Sequence, residues 1–423
     1  MSSHEPSPAR NDVDALEVIL TAGCNLRCTY CYQNDKKPRS MAWETLRGAL
    51  DLVVGSENPR VEVLFLGGEP LLEFPLIRRA VEHVRATRAP GKTVSFSIVT
   101  NGTLLGRGEA EFLAAHDFET HLSFDGVPAA QALRGPRTFP VLDTLVDRLA
   151  RDHPRFARER LNVALTLTPE TVRHLSASIA YFLRKGVARI SVSPTVTHDP
   201  DWRPEKIAVL DEAFAEVFQT CLRHYKRTGK VPLEMFRKSE DGAEEERHRP
   251  REGRTCSAPT GRVLAIDVDG QVHGCAVFIE SYQRPASPFQ RGRVDTLRLG
   301  DFRAPEFPRR LAMYPGAARE TGLFHGKRDK YSSYGRCGEC EFLDSCAVCP
   351  ASTGNIPGNA DPRRIADFPC AYNLVALKYR EKFPSMPTAL DILTGKVRAY
   401  GPLGRAQRRM RAVMGTPVTR LAQ

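Results

Sequence analysis

Three cysteines, Cys24, Cys28 and Cys31, stand at C-x3-C-x2-C spacing in the stretch Cys24-Asn25-Leu26-Arg27-Cys28-Thr29-Tyr30-Cys31. Thiolates are the metal-binding form of cysteine, and a loop this tight can hold three irons of a 4Fe–4S cube. A cube held wholly by protein takes four thiolates. The next cysteine, Cys221, lies far down the chain, so the spacing leaves one iron open to a ligand that is not protein. A zinc site or three unrelated thiols are the simpler alternatives.

A second cysteine system begins at Cys256 and Cys275 and continues through Cys337, Cys340, Cys346 and Cys349, at C-x2-C-x5-C-x2-C, to Cys370. Asp269-Gly270 between the strand-like runs Val263 to Val268 and Gln271 to Cys275 is a strong hairpin signal; the hairpin folds Cys275 back toward Cys256. Two C-x2-C pairs also read as a four-thiolate zinc site. Zinc would leave Cys256, Cys275 and Cys370 unexplained. These two systems use all the cysteines but Cys221, which sits in a helical run, Ile207 to Tyr225, and reads as a core residue.

The elements that position these residues alternate. Strand-like runs fall at Leu16 to Leu20, Val61 to Leu66, Val94 to Val99, Thr120 to Phe124, Leu161 to Leu167 and Ala188 to Val192. Helical periodicity fills the gaps, with Ser40 as an N-cap and Pro169 opening the helix that runs to Arg184. This alternation predicts a parallel sheet with right-handed crossovers. Six units are too few for a closed eight-stranded barrel. Functional loops on such sheets lie at strand C-termini. There stand the first cysteine loop, Gly67-Gly68-Glu69-Pro70, Thr100-Asn101-Gly102 and Ser123-Phe124-Asp125-Gly126. The glycines let backbone approach a ligand closely. Glu69 can accept from an ammonium group, and the short polar side chains suit hydroxyl or carboxylate contacts, or ordinary turn chemistry.

The cysteine loop, followed by the aromatic Tyr32, resembles the radical S-adenosylmethionine (radical SAM) superfamily, and Gly67 to Pro70 resembles that family's GGEP motif. The resemblance implies a partial (β/α)6 barrel, an α/β fold. It also implies an open iron that chelates the amino and carboxylate groups of SAM, and one-electron cleavage of SAM to a 5′-deoxyadenosyl radical. Gly67, Gly68, Glu69 and Pro70 would bind the SAM amino group. Thr100, Asn101, Ser123 and Asp125 would line its ribose and carboxylate, and Arg134 would pair with the carboxylate. Thr166, Thr168 and Ser193 end the fifth and sixth strands and would face the adenine or ribose.

The second system resembles the SPASM domain, a small cysteine-rich α+β extension with two auxiliary 4Fe–4S clusters. The likeness assigns Cys256, Cys275 and Cys349 to the first auxiliary cluster and Cys337, Cys340, Cys346 and Cys370 to the second, for three clusters in all. One departure stands out: only Ala347 and Val348 separate Cys346 from Cys349, where the family has three residues. The first auxiliary cluster then lacks a fourth protein ligand; an open site, the substrate or His273 are the candidates. By resemblance, the expected activity is oxidation or crosslinking of a side chain in a ribosomally made precursor peptide, with flavodoxin or ferredoxin as reductant. A sulfatase maturase carries an Asp as general base after the second SPASM cysteine, where this chain has Ala276. A small-molecule dehydrogenase is a further alternative, and an iron–sulfur electron carrier is the non-enzyme one. Asp267, Asp269 and Asp295 lie near the first auxiliary site in sequence, but turn roles explain them equally well.

Composition agrees with a globular chain. Of 423 residues, 41% are apolar, enough for a full core, and no apolar run approaches the length of a membrane span. The polar N-terminus shows no secretory signal. The expected location is cytoplasmic, where eleven cysteines point to metal rather than disulfides. The net charge of +11 is spread widely, and no nucleic-acid module is evident; a monomer is expected. The expected organisation is a disordered N-terminus at 1–12, the barrel at 13–237, a charged linker at 238–255, the SPASM domain at 256–385 and a basic tail at 386–423. With so little chain before the first strand, an N-terminal peptide-recognition domain is not expected.

Overall fold

The computed structural model describes residues 11–33, 36–195, 202–237, 256–279, 295, 297–321, 326–349, 359 and 361–384. The charged linker and the basic tail read from the sequence lie outside them. At the N-terminal boundary, Asn11 and Asp12 are tied down rather than disordered: Asn11 Nδ2 donates to the Leu52 carbonyl at 2.8 Å, and Asn58 Nδ2 donates to that of Asp12 at 2.5 Å.

All six strands of the alternating half form: β1 (Ala15–Ile19), β2 (Arg60–Leu66), β3 (Thr93–Thr100), β4 (Glu119–Ser123), β5 (Leu161–Leu167) and β6 (Ile190–Pro194). Each pairs in parallel with the next. The helices between them are α1 (Trp43–Val54), α2 (Phe74–Thr87), α3 (Arg107–Ala115), α4 (Pro128–Gln131), α5 (Thr138–Asp152), α6 (Pro154–Glu159) and α7 (Leu175–Arg184), with α8 (Ile207–Thr228) after β6. The period of two along each strand sorts the two faces. Val61, Val63 and Phe65 are buried in one apolar cluster with Leu46, Leu50, Ile77 and Val81 of the helices. Each such side chain contributes about 1.5–3 kcal/mol by leaving water. The other face carries Glu17, Glu62, Ser97, His121, Ser123 and Thr166, a polar lining.

Two local expectations change. Ala42, not Ser40, sits at the N-cap of α1; the Ser40 hydroxyl instead donates to Glu73. Pro169 does not open α7. A turn and a single 3₁₀ turn (Val172–His174) come first, because Thr168 and Thr171 hydrogen-bond each other's backbone and hydroxyl groups and hold the chain in that turn.

The larger difference lies in the second half. The hairpin predicted at Asp269-Gly270 forms, as β7 (Val263–Ile266) and β8 (Gln271–His273), followed by β9 (Arg298–Asp301). It is not set apart from the barrel strands. β7 pairs in parallel with β1, and the sheet runs β6-β5-β4-β3-β2-β1-β7-β8-β9. Without β7, β1 would leave a row of backbone groups unpaired at an edge. Asp267 and Asp269 serve the turn, the first accepting from the amides of Asp269 and Gln271. Two helices not read from the sequence follow, α9 (Phe307–Glu320) and α10 (Asp367–Lys382). α10 packs on α8 through Phe214, Tyr372 and Tyr379, and Cys221 of α8 is fully buried, the core residue expected.

Candidate functional site

The first cysteine loop leaves β1 at Ile19 and is clamped from two sides. On one side the Gly68 amide donates to the Thr21 carbonyl at 2.8 Å and the Glu69 amide to that of Gly23 at 3.0 Å. A Cβ on Gly68 would lie 2.1 Å from the Gly23 oxygen, and one on Gly67 (φ +150°) 2.6 Å from the Thr21 oxygen. The two glycines were expected to admit a ligand; their immediate role is to admit the chain's own segment before Cys24.

Glu69 is buried where β2 and β3 end. It accepts from the Leu71 amide (3.1 Å), the Thr100 hydroxyl (2.6 Å) and the Asn101 amide (2.8 Å). A carboxylate has about four acceptor positions, so one remains for a further donor. Burial pushes its pKa up to about 7, against the pull of those three donors. Asn101 reaches back to the loop, its Nδ2 donating to Asn25 Oδ1 at 2.9 Å.

The other side of the clamp is an ion pair. Arg134 is bidentate on Asp125, with Nε and a terminal nitrogen at 2.9 and 2.8 Å, and both residues are buried. Asp125 also accepts from the Tyr30 hydroxyl at 2.5 Å and the Thr166 amide at 2.9 Å, and Arg134 donates to the Thr166 hydroxyl at 3.1 Å. The guanidinium carbon lies 5.3 Å from the Tyr30 ring centre. Burial drives the Tyr30 hydroxyl far above its ordinary range. The Thr29 amide donates to the Leu133 carbonyl at 2.9 Å, so the loop is held along its length.

The expected SAM contacts therefore divide. Asp125 is committed to Arg134, Tyr30 and Thr166, and Arg134 is committed first to Asp125; both orient the cysteine loop. Thr168 is spent on its turn. The hydroxyls of Ser123 and Ser193 make no hydrogen bond among the described residues, and Ser193 is exposed. Sequence reasoning missed Tyr30, Asn25 and Gln131, whose Oε1 accepts from the Asp125 amide at 2.8 Å. An aromatic residue between Cys28 and Cys31 was the available signal for Tyr30.

All eleven cysteines are free thiols. Burial raises the pKa of Cys24 and Cys28; both feel Cys31, and Cys28 also feels Cys24. Cys256 and Cys275 both feel Cys349, and Cys275 also feels Cys256, with Cys256 pushed up to about 11 by burial. Cys370, pushed up to about 12 by burial, neighbours Cys337, Cys340 and Cys346. The thiols that neighbour one another are ones the resemblance assigns to the same cluster. Among the described residues no three His, Cys, Asp or Glu side chains close on one point as a single metal ion requires. A cube does not ask this of them, since its thiolates bind separate irons. Each set is thiol-rich and partly buried, which fits a cluster. His273 is buried with Nδ1 unpartnered and its pKa pushed down to about 4 by burial, but no cysteine is among the charges it feels.

Residues 18–151 match the family model of the Radical SAM superfamily. The chain carries a radical SAM domain. It is 30% identical over 175 residues to the cysteine-type anaerobic sulfatase-maturating enzyme of Clostridium perfringens strain 13, covering 39% of this chain and 47% of that protein. An uncharacterized protein of Methanocaldococcus jannaschii is 28% identical over 187 residues, 42% of this chain and 63% of that one. The match thus spans about half to two-thirds of these relatives. In fold, the chain is similar to native anSMEcpe with bound AdoMet and Kp18Cys peptide (TM-score 0.66, 19% identity, 87% of this chain and 96% of that one). It is also similar to Streptococcus suis SuiB bound to S-adenosylmethionine (TM-score 0.53, 16% identity, 85% and 77%). No helix among the described residues is long and apolar enough to cross a membrane.

Proposed function

We propose that this chain is a radical SAM/SPASM enzyme that cleaves SAM reductively and uses the resulting radical to oxidise or crosslink a side chain of a precursor peptide. One observation carries the reading: Cys24, Cys28 and Cys31 are held at strand C-termini between Glu69 and the Asp125–Arg134 pair, with one Glu69 acceptor position left over. The three thiolates would hold a 4Fe–4S cluster, which when reduced would supply the electron for cleavage. The chain binds, orients and excludes water. Glu69 takes the SAM ammonium. The open hydroxyls of Ser123 and Ser193 suit its polar groups, and Tyr30, Asp125 and Arg134 keep the cysteine loop rigid. Cys337, Cys340, Cys346 and Cys370, with Cys256, Cys275 and Cys349, would hold the auxiliary clusters, for three in total. These suit an oxidative outcome, in which the substrate radical gives up an electron. Two relatives of similar fold were solved with peptides, Kp18Cys on anSMEcpe and the precursor SuiA on SuiB, which supports a peptide substrate. A flavodoxin or ferredoxin would supply electrons, and the cytoplasm would keep the thiols reduced. Ala276 in place of the maturase's carboxylate disfavours sulfatase maturation.

The test is anaerobic incubation with SAM and dithionite. Release of 5′-deoxyadenosine and methionine is expected; an intact cluster without release would favour an electron carrier. Glu69 adds a pH signature. Its ionised form accepts the ammonium, so SAM binding tightens as pH rises through about 7 and levels above it. Glu69→Gln should weaken binding at least tenfold at pH 8, about 1.4 kcal/mol, and remove the step, as calorimetric titration of the reconstituted protein would read. The same shift acts on stability with the opposite sense. Glu69 holds its proton more tightly folded than unfolded, so its contribution is greatest below its ordinary value of 4.5 and is lost as pH climbs through about 7.

A further inference from the structure

Glu17 stands in the middle of β1. It lies on the polar face of the sheet, in register with Ala265 of β7, which in turn opposes His273 of β8. Its Oε2 accepts from the Ala276 amide at 2.8 Å, the residue after Cys275, so a barrel carboxylate is fixed against the second cysteine system. Among the described residues its other oxygen accepts no hydrogen bond. Glu17 is the foremost charge felt at Cys275 and is also felt at Cys256, the two thiols that share a neighbourhood with Cys349. That set has three cysteines, whereas the set around Cys370 has four. A carboxylate in such surroundings is disfavoured as a bare anion, and a metal ion beside it reverses that preference.

We propose that Glu17 completes the first auxiliary site as its fourth ligand, its free oxygen on the iron that Cys256, Cys275 and Cys349 leave uncapped. This rests on the cluster reading above. His273, the alternative in the sequence, sits two strands across the sheet from Glu17, about 10 Å at ordinary strand spacing. The ligand joins the two halves of the molecule: β1, which leads into the first cysteine loop, also anchors the auxiliary site.

The test uses the full chain, reconstituted anaerobically as wild type, Glu17→Gln, Glu17→Cys and His273→Gln. The glutamine keeps an acceptor for the Ala276 amide and removes the carboxylate. Glu17→Gln is expected to retain about one iron fewer per chain and to show the electron paramagnetic resonance (EPR) signal of an oxidised three-iron cluster. Glu17→Cys is expected to restore the iron with a changed EPR spectrum, and His273→Gln to match wild type. Unchanged iron and spectra in Glu17→Gln would overturn the assignment, as would loss of iron from His273→Gln in its place. Wild-type protein without acid-labile sulfide would instead sink the cluster reading itself.

Discussion

Cys28→Ala is expected to abolish SAM cleavage, reducing 5′-deoxyadenosine release to the level of a protein-free control. Cys28 is the middle cysteine of the loop, and its side chain lies against Arg134, with Sγ 3.8 Å from that residue's carbonyl oxygen. Cys24 and Cys31 alone cannot hold a cube, and no other cysteine is grouped with them. None of the thiols proposed for the auxiliary clusters lies in this loop. Iron analysis should therefore find about one cluster's worth missing, roughly four irons, with the rest retained. Substantial cleavage by this variant, or loss of all iron, would show that the loop is not an independent site.

Asp125→Ala should have the largest effect on stability. Arg134 would stay buried beside Tyr30 with its bidentate partner gone, and the Thr166 amide and Tyr30 hydroxyl would lose their acceptor. Breaking a buried pair in this way costs about 3–5 kcal/mol, a large part of the 5–15 kcal/mol that ordinarily separates folded from unfolded domains. Urea unfolding of the metal-free chain measures it. A loss under about 1 kcal/mol would mean that water reaches the pair and that it does not brace the loop. Asp125→Asn keeps acceptor capacity and should fall between.

Much of this arrangement was legible in the sequence. The cysteine spacings, the alternation of strands and helices and the D-G hairpin each depend on local pattern, and each has its counterpart in the structure. Roles that depend on contact across the fold were not legible. Glycines 67 and 68 read as ligand-approach residues because sequence shows that backbone comes close there, not what comes close; the answer is Thr21 to Gly23. Asp125 and Arg134 read as separate SAM contacts because nothing in their spacing reveals that they grip each other. Glu17 gave no signal, since a single acid in an apolar strand becomes informative only once β7 lies beside β1 and brings Ala276 to it. The merging of the hairpin into the main sheet was hidden for the same reason.

One measurement bears most directly on the open iron proposed at the first loop: the EPR spectrum of the reduced, anaerobically reconstituted chain with and without SAM. SAM binding to that iron is expected to shift the signal of one cluster, with the shift absent from Cys28→Ala and weakened in Glu69→Gln. A spectrum that SAM leaves unchanged, on protein carrying its full iron and sulfide, would contradict the account.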